Sequence, residues 1–141
     1  MKEIDDVTGE IVDAAMKIHM KLGPGLLESV YEQILAGELR RRGLHVERQR
    51  TVDLHFDGVC YEHAYVVDLL VERNVVVEIK SIEKTAPVHA KQVLTYLKLM
   101  DLQVGLLINF GAPFLKDGIV RLVNKYVPSA SPRLRATDAR S

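Results

Sequence analysis

Asp68, Glu78 and Lys80 are the residues of this 141-residue chain whose types and spacing could do chemistry. They lie in two β-branched, aliphatic runs, residues 66–71 and 75–79, separated by Glu72-Arg73-Asn74, the pattern of a β-hairpin. Both runs are apolar enough for centre strands, where an unpaired charge is costly unless it pairs or holds a cation. Side chains alternate faces along a strand, so Glu78 and Lys80 point the same way. A two-residue loop at Arg73-Asn74 would pair Glu72 with Val75 and send Asp68 to the opposite face. A three-residue loop would place Asp68 across from Glu78, with Asn74 supplying the left-handed third position. The three-residue loop is the expectation. Two facing carboxylates repel, and one rises in pKa unless a cation sits between them. Mg²⁺ or Mn²⁺ suits such oxygen ligands. The structural alternative is an ion pair of Lys80 with Glu78 or Asp68.

The remaining chain supplies elements to position this hairpin. Ile4, Val7, Ile11, Ala15, Ile18 and Leu22 recur at helical spacing, predicting a helix over residues 4–21 that ends at Leu22-Gly23-Pro24-Gly25. A second helix is predicted over 26–42, with Leu27, Val30, Tyr31, Ile34, Leu35 and Leu39 buried and Arg40-Arg41-Arg42 at its carbonyl end. Glu28 falls in its first turn, three residues before Tyr31 and on the same face; a dipole-complementing acid and a core tyrosine would read the same way. Residues 45–49 and 51–56 read as one bent or bulged strand turning Val46, Val52, Leu54 and Phe56 inward. Asp57-Gly58 is a hairpin turn, and residues 59–71 are the return strand. Pro87 opens a helix over 87–100, capped by Thr85 or a neighbour, and Gln92 and Tyr96 share one side of it with His89. Residues 104–110 form an apolar run expected as a buried strand parallel to that of Glu78. Residues 119–123 read as an edge strand.

With 48% hydrophobic residues and a net charge of zero, the chain describes one globular domain over residues 1–127, with a polar tail over 128–141. The opening residues lack an apolar signal-peptide core, which points to the cytoplasm, and no run is long enough for a membrane span. Cys60 is alone, and five scattered histidines lack zinc-ligand spacing. Charge balance argues against a generally adhesive nucleic-acid binder, though not against a local basic track.

Taken together these segments resemble a known family. Gly25-Leu26-Leu27-Glu28-Ser29-Val30-Tyr31 matches the signature of the GxxExxY protein family. Asp68 followed by Glu78-Ile79-Lys80 resembles the D…ExK core of the PD-(D/E)xK nuclease superfamily, to which that family is assigned. Gln92-Val93-Leu94-Thr95-Tyr96 is similar to the QxxxY element of RecB-type and lambda-exonuclease-like members, and Gly105–Gly111 looks like the family's following strand. The resemblance covers residues 8–125 and implies an α/β fold with a restriction-endonuclease-like core: a central mixed sheet, two N-terminal helices and one helix after the ExK strand.

That resemblance also implies roles. Asp68 and Glu78 would bind Mg²⁺ or Mn²⁺, the Ile79 carbonyl would add a ligand, and Glu28 would complete or orient the metal's water shell. Lys80 would position the attacking water or stabilise charge on phosphorus. Gln92 and Tyr96 would position the nucleic-acid backbone or its end. The implied activity is hydrolysis of DNA phosphodiesters by a metal-dependent nuclease, with an exonuclease suggested by QxxxY. A catalytically inactive nucleic-acid-binding or protein-interaction module on the same fold is the alternative, and a hydrolase of smaller phosphate esters is a third reading. One departure stands out: family members commonly carry arginine where this chain has Val66. Lys84, Lys91, Lys98, Arg40–Arg42, Arg48 and Arg50 are candidates for the missing phosphate contacts, or simply a solvated surface. His19 and His89 are candidates for the pocket mouth, or satisfied structural histidines. A second copy or a protein partner would add grip on DNA.

Overall fold

A computed structural model describes residues 2–125. Helices α1 (Ile4–Leu22) and α2 (Glu28–Arg41) are followed by strands β1 (Val46–Phe56), β2 (Val59–Val71) and β3 (Val75–Lys80). Helix α3 (Pro87–Met100), β4 (Val104–Asn109), a 3-10 turn (Leu115–Gly118) and β5 (Ile119–Val123) complete the described chain. The five strands form one sheet in the order β1-β2-β3-β4-β5, with β3 and β4 parallel and the other neighbours antiparallel. The parallel pair follows from the α3 crossover, because a helix returns the chain to the end from which it left. The expected α/β architecture is the one observed.

Each face of the sheet is covered. Val7, Ile11 and Ile18 of α1 and Tyr31, Leu35 and Leu39 of α2 pack on Leu69, Val75, Val77, Ile79, Leu106 and Ile108. On the opposite face Val93, Tyr96 and Leu97 of α3 pack on Val67, Leu70, Val76 and Leu107. Strands β3 and β4 therefore carry apolar residues on both faces, as centre strands covered by helices do. Gly105 lets α3 approach: a Cβ there would come within 2.8 Å of Val93 Cγ1.

The loop between β2 and β3 has three residues, since Val71 pairs with Val75. The left-handed residues are Glu72 and Arg73, each at φ 53°, rather than Asn74. Glu72 sits there with its carboxylate accepting from the His45 N–H at 2.7 Å and its own N–H donating to the His45 carbonyl at 2.8 Å, so contacts across the sheet edge fix the turn.

Several expectations need correction. Of the residues expected to turn inward from β1, Val46 is buried, whereas Phe56 is 65% exposed. The β1–β2 ribbon outruns both helical layers, so none of the described residues covers its tip. Leu27 is also exposed, because α2 begins at Glu28 and Leu27 lies in the extended segment before it. Ala86, the neighbour of Thr85, caps α3, and the His89 ring, three residues on, accepts the Ala86 N–H at Nδ1, the part that Glu or Gln plays in a capping box. The tail expected over 128–141 lies outside the described residues.

Candidate active site

Strand β3 carries the centre of the site. Its odd residues face α1 and α2, and Val76 faces α3, which puts Glu78 and Lys80 on the α3 side. The ladder between β2 and β3 is paired as far as Leu69 with Val77; the next pair in that register is Asp68 with Glu78. There the carboxylates replace the backbone acceptors. Glu78 Oε1 accepts from the Asp68 N–H at 3.0 Å, and Asp68 Oδ2 accepts from the Ile79 N–H at 2.8 Å. This exchange holds the two acids face to face.

The strand is irregular at this point. Val67 packs with the α3-side cluster and Leu69 with the opposite one, so alternation breaks at Asp68. Across from it Gln49 is left-handed, at φ 49°. Its side-chain amide donates to Asp68 Oδ1 at 3.3 Å and to Glu32 Oε1 at 2.7 Å. Glu32 is buried to 4% exposure and is paired with Arg48 at 3.0 Å. The kinked β1 thus links a buried ion pair on α2 to the Asp68 carboxylate.

Glu78 is only 6% exposed, and its pKa is raised to about 8. Burial is the main cause and the neighbouring Asp68 charge the second; the Asp68 amide and the Lys80 charge act in the opposite direction. Lys80 therefore acts on Glu78 through its field, and no ion pair of Lys80 occurs among the described residues. The structural-pair alternative fails on that point. Tyr96 lies over the pair: burial and then the charges of Glu78 and Asp68 raise its pKa. Its ring stacks on Tyr65 at 4.7 Å between centroids, and the Tyr65 hydroxyl is buried without a hydrogen-bond partner among the described residues. Burial pushes the Tyr65 phenol to about 12.

The other site candidates fall around this pair. Gln92 is exposed on α3 and shares a cleft with Lys80. Glu28 is exposed at the start of α2, and its Oε2 accepts from the Ser81 N–H at 3.3 Å, one residue beyond Lys80. It belongs to a separate cleft with Gly25, Ser81, Ile82 and Gly111. Tyr31 is the fastener of this segment: its hydroxyl donates to the Gly23 carbonyl and accepts from the Leu26 N–H at 3.3 Å, while its ring stacks on Phe110 at 4.4 Å. The Ser81 hydroxyl donates to the Leu26 carbonyl at 2.5 Å. Asn109 secures the other side, bonding the Ile82 N–H at 3.0 Å and its carbonyl at 2.9 Å. Gly111 must be glycine, since a Cβ would stand 2.2 Å from the Ile82 carbonyl oxygen.

As a metal test, the donor chemistry fits in part. Two facing carboxylates, one of them raised in pKa by burial and then by the other's charge, form an acid pair whose ionisation a hard divalent cation would favour. Among the described residues no group of three or more His, Cys, Asp or Glu side chains is placed to hold a metal ion, so Glu28 does not join Asp68 and Glu78 as a direct third ligand. Such a site would depend on water and backbone for its remaining ligands, as Mg²⁺ sites commonly do.

The sequence profile of the PD-(D/E)XK nuclease superfamily matches residues 5–122, from the first turn of α1 to β5. The chain belongs to the PD-(D/E)XK nuclease superfamily. No curated protein and no solved structure matches it. Members of this superfamily generally use divalent metals such as Mg or Mn. The mixed sheet and its three described helices are the restriction-endonuclease-like core. Among the described residues no helix is long and apolar enough to cross a membrane.

Sequence reasoning missed Gln49, Glu32 and Tyr65. The uninterrupted polar run Glu47-Arg48-Gln49-Arg50 inside a strand was the available signal for the first. Other assignments were resolved by partners. His19 donates from Nε2 to the Ala112 carbonyl at 2.8 Å, a structural role. The arginines considered for phosphate are engaged: Arg42 with Glu10, Asp13 and Glu38, Arg41 with Glu38, Arg50 with Glu47, and Arg40 with the Val46 carbonyl.

Proposed function

We propose that this protein is a metal-dependent nuclease that hydrolyses DNA phosphodiesters, in the GxxExxY branch and with the QxxxY element of RecB-type and lambda-exonuclease-like enzymes. The observation that carries the reading is the Asp68–Glu78 pair, locked by reciprocal bonds to backbone amides with Lys80 on the same strand face. Asp68, Glu78 and the Ile79 carbonyl would hold Mg²⁺ or Mn²⁺, and Glu28 would orient bound water from the end of α2. When bound, the cation supplies Lewis-acid stabilisation of the phosphate and a water of lowered pKa. Lys80 orients the attacking water and balances charge developing on the phosphate oxygens. Tyr96 and Gln92 position the strand, Tyr96 from beside the acids and Gln92 from the rim. The QxxxY element favours an exonuclease, and the expected setting is the cytoplasm, with a second copy or a protein partner adding grip on DNA.

Two observations favour a second reading, a non-catalytic nucleic-acid-binding or protein-interaction module. Val66 stands where the resemblance has arginine, and the acids number two rather than three. The deciding experiment is a cleavage panel of linear and circular, single- and double-stranded DNA and RNA, with Mg²⁺, Mn²⁺ or EDTA. The nuclease reading requires cleavage that EDTA stops and that Lys80→Ala abolishes while leaving the fold intact. Cleavage indifferent to both changes, or none on any substrate, would favour the module.

A further inference from the structure

The cleft beside the acid pair has a charge pattern that the Asp68–Glu78–Lys80 chemistry does not use. It encloses about 530 Å³ and is lined by Lys80, Val88, His89, Lys91, Gln92 and Thr95. Among the described residues no carboxylate lines it, although the chain carries 19 acidic and 19 basic residues and has no net charge. Lys80 and Lys91 enter no ion pair among the described residues, whereas Arg42, Arg48 and Arg50 are paired with carboxylates elsewhere in the fold. The wall is built for an anion.

His89 gives that wall a fixed donor. Its Nδ1 accepts the Ala86 N–H at 2.9 Å, so Nδ1 carries a lone pair and the ring proton resides on Nε2. The bond ties the ring to the first turn of α3, which lowers the ordering cost of using it on a ligand. Gln92 lies three residues on, on the same side of the helix.

We propose that His89 Nε2–H and the Lys91 ammonium bind a phosphate of the nucleic-acid strand adjoining the one that reaches Asp68 and Glu78, with Lys80 shared between the two positions. The inference rests on the nuclease reading and extends it: His89 and Lys91 set where along the strand the scissile bond falls. The phosphate is either internal to the strand or a terminal monophosphate, and both present the same oxygens to these donors.

The test uses the full chain and the variants His89→Ala, His89→Gln and Lys91→Gln. Lys91 is exposed, so Lys91→Gln keeps the fold even where loss of the His89 cap lowers stability. Initial rates are measured with 5′-phosphorylated and 5′-hydroxyl oligonucleotides. Binding of the same labelled strands is measured in Ca²⁺ over a range of salt. The expected result is a rise in KM and Kd of about tenfold for His89→Ala, the scale of a lost hydrogen bond to a charged group, with kcat within about twofold. Lys91→Gln is expected to flatten the dependence of log Kd on log salt by about 0.7, the slope of one phosphate contact on a single strand. Discrimination against the 5′-hydroxyl strand that disappears in His89→Ala identifies a terminal monophosphate; equal losses on both strands identify an internal phosphodiester. Cleaving variants with wild-type KM and salt slope overturn the inference and leave the nuclease intact. Wild-type protein that cleaves nothing yet binds the strand through Lys91 and His89 rejects the nuclease reading and keeps the anion cleft. Wild-type protein that neither cleaves nor binds removes both.

Discussion

Replacing Glu78 by glutamine tests the electrostatic account of the site without any substrate. In the metal-free protein the Glu78 pKa is raised to about 8 from its ordinary 4.5, because the carboxyl is buried beside Asp68. The folded state therefore binds more protons than the unfolded chain between those two values. Stability from this group is fully present below about 4.5, declines as pH rises, and levels off above about 8. At about 1.36 kcal/mol per unit, the loss between pH 5.5 and 8 is on the order of 3 kcal/mol. Glu78→Gln keeps an acceptor for the Asp68 N–H and carries no charge, so its own curve lacks this decline. The assay is urea unfolding of both proteins in EDTA across that window, read as the difference between the two curves so that the histidines, common to both, cancel. The wild type is expected to lose stability relative to Glu78→Gln as pH rises. Added Mn²⁺ is expected to reverse the order at the alkaline end, because the ionised pair is the form that holds the cation. A flat difference curve in EDTA would refute the claim that burial and Asp68 oppose ionisation of Glu78.

Other substitutions probe the supports around the pair. Gln49→Gly suits the left-handed backbone at that position and deletes only the amide that bridges Asp68 and Glu32. Loss of about 10–100-fold in Mn²⁺ affinity or cleavage is expected, the usual effect of removing a group that orients a ligand, and isothermal titration would measure it. Asn109→Ala strands the Ile82 N–H and carbonyl, and a loss of about 2–4 kcal/mol is expected in urea melts. Tyr31→Phe keeps the stack on Phe110 and removes two hydroxyl bonds to the segment before α2, so a smaller loss of about 1–2 kcal/mol should appear in the same melts. Gly111→Ala forces a Cβ against the Ile82 backbone, and the soluble yield and melting temperature should both fall.

The hairpin around Asp68 and Glu78 was legible in the sequence because strand parity is a local rule. Counting residues across Glu72-Arg73-Asn74 narrows the hairpin to two registers, and the one with Asp68 opposite Glu78 is the one in which Val71 pairs with Val75. The helices were legible for the same reason, their apolar stripes being properties of consecutive residues. What each turn residue does was less accessible. Asn74 had the better intrinsic tolerance of a left-handed backbone, yet Glu72 and Arg73 adopt it, with His45 from β1 holding Glu72.

The sequence by itself determined the order of the elements and that Glu78 and Lys80 share a strand face, while the pairing of Val71 with Val75 decided between the two loops and so set Asp68 across from Glu78. Tertiary structure alone decided how the charges are spent. Arg42 and Arg48 look as available as Lys91 in a linear reading, but their partners Glu10, Asp13 and Glu32 lie on helices remote in sequence. Glu28 shares a motif with Tyr31 and yet ends in a different cleft from Gln92, since Tyr31 folds the preceding loop back while α3 covers the other face. Phe56 has the spacing of a core residue and lies in water because the sheet extends past its helices. Periodicity reports which residues share a face; only packing decides what that face meets, because burial and charge pairing depend on segments the local pattern does not contain.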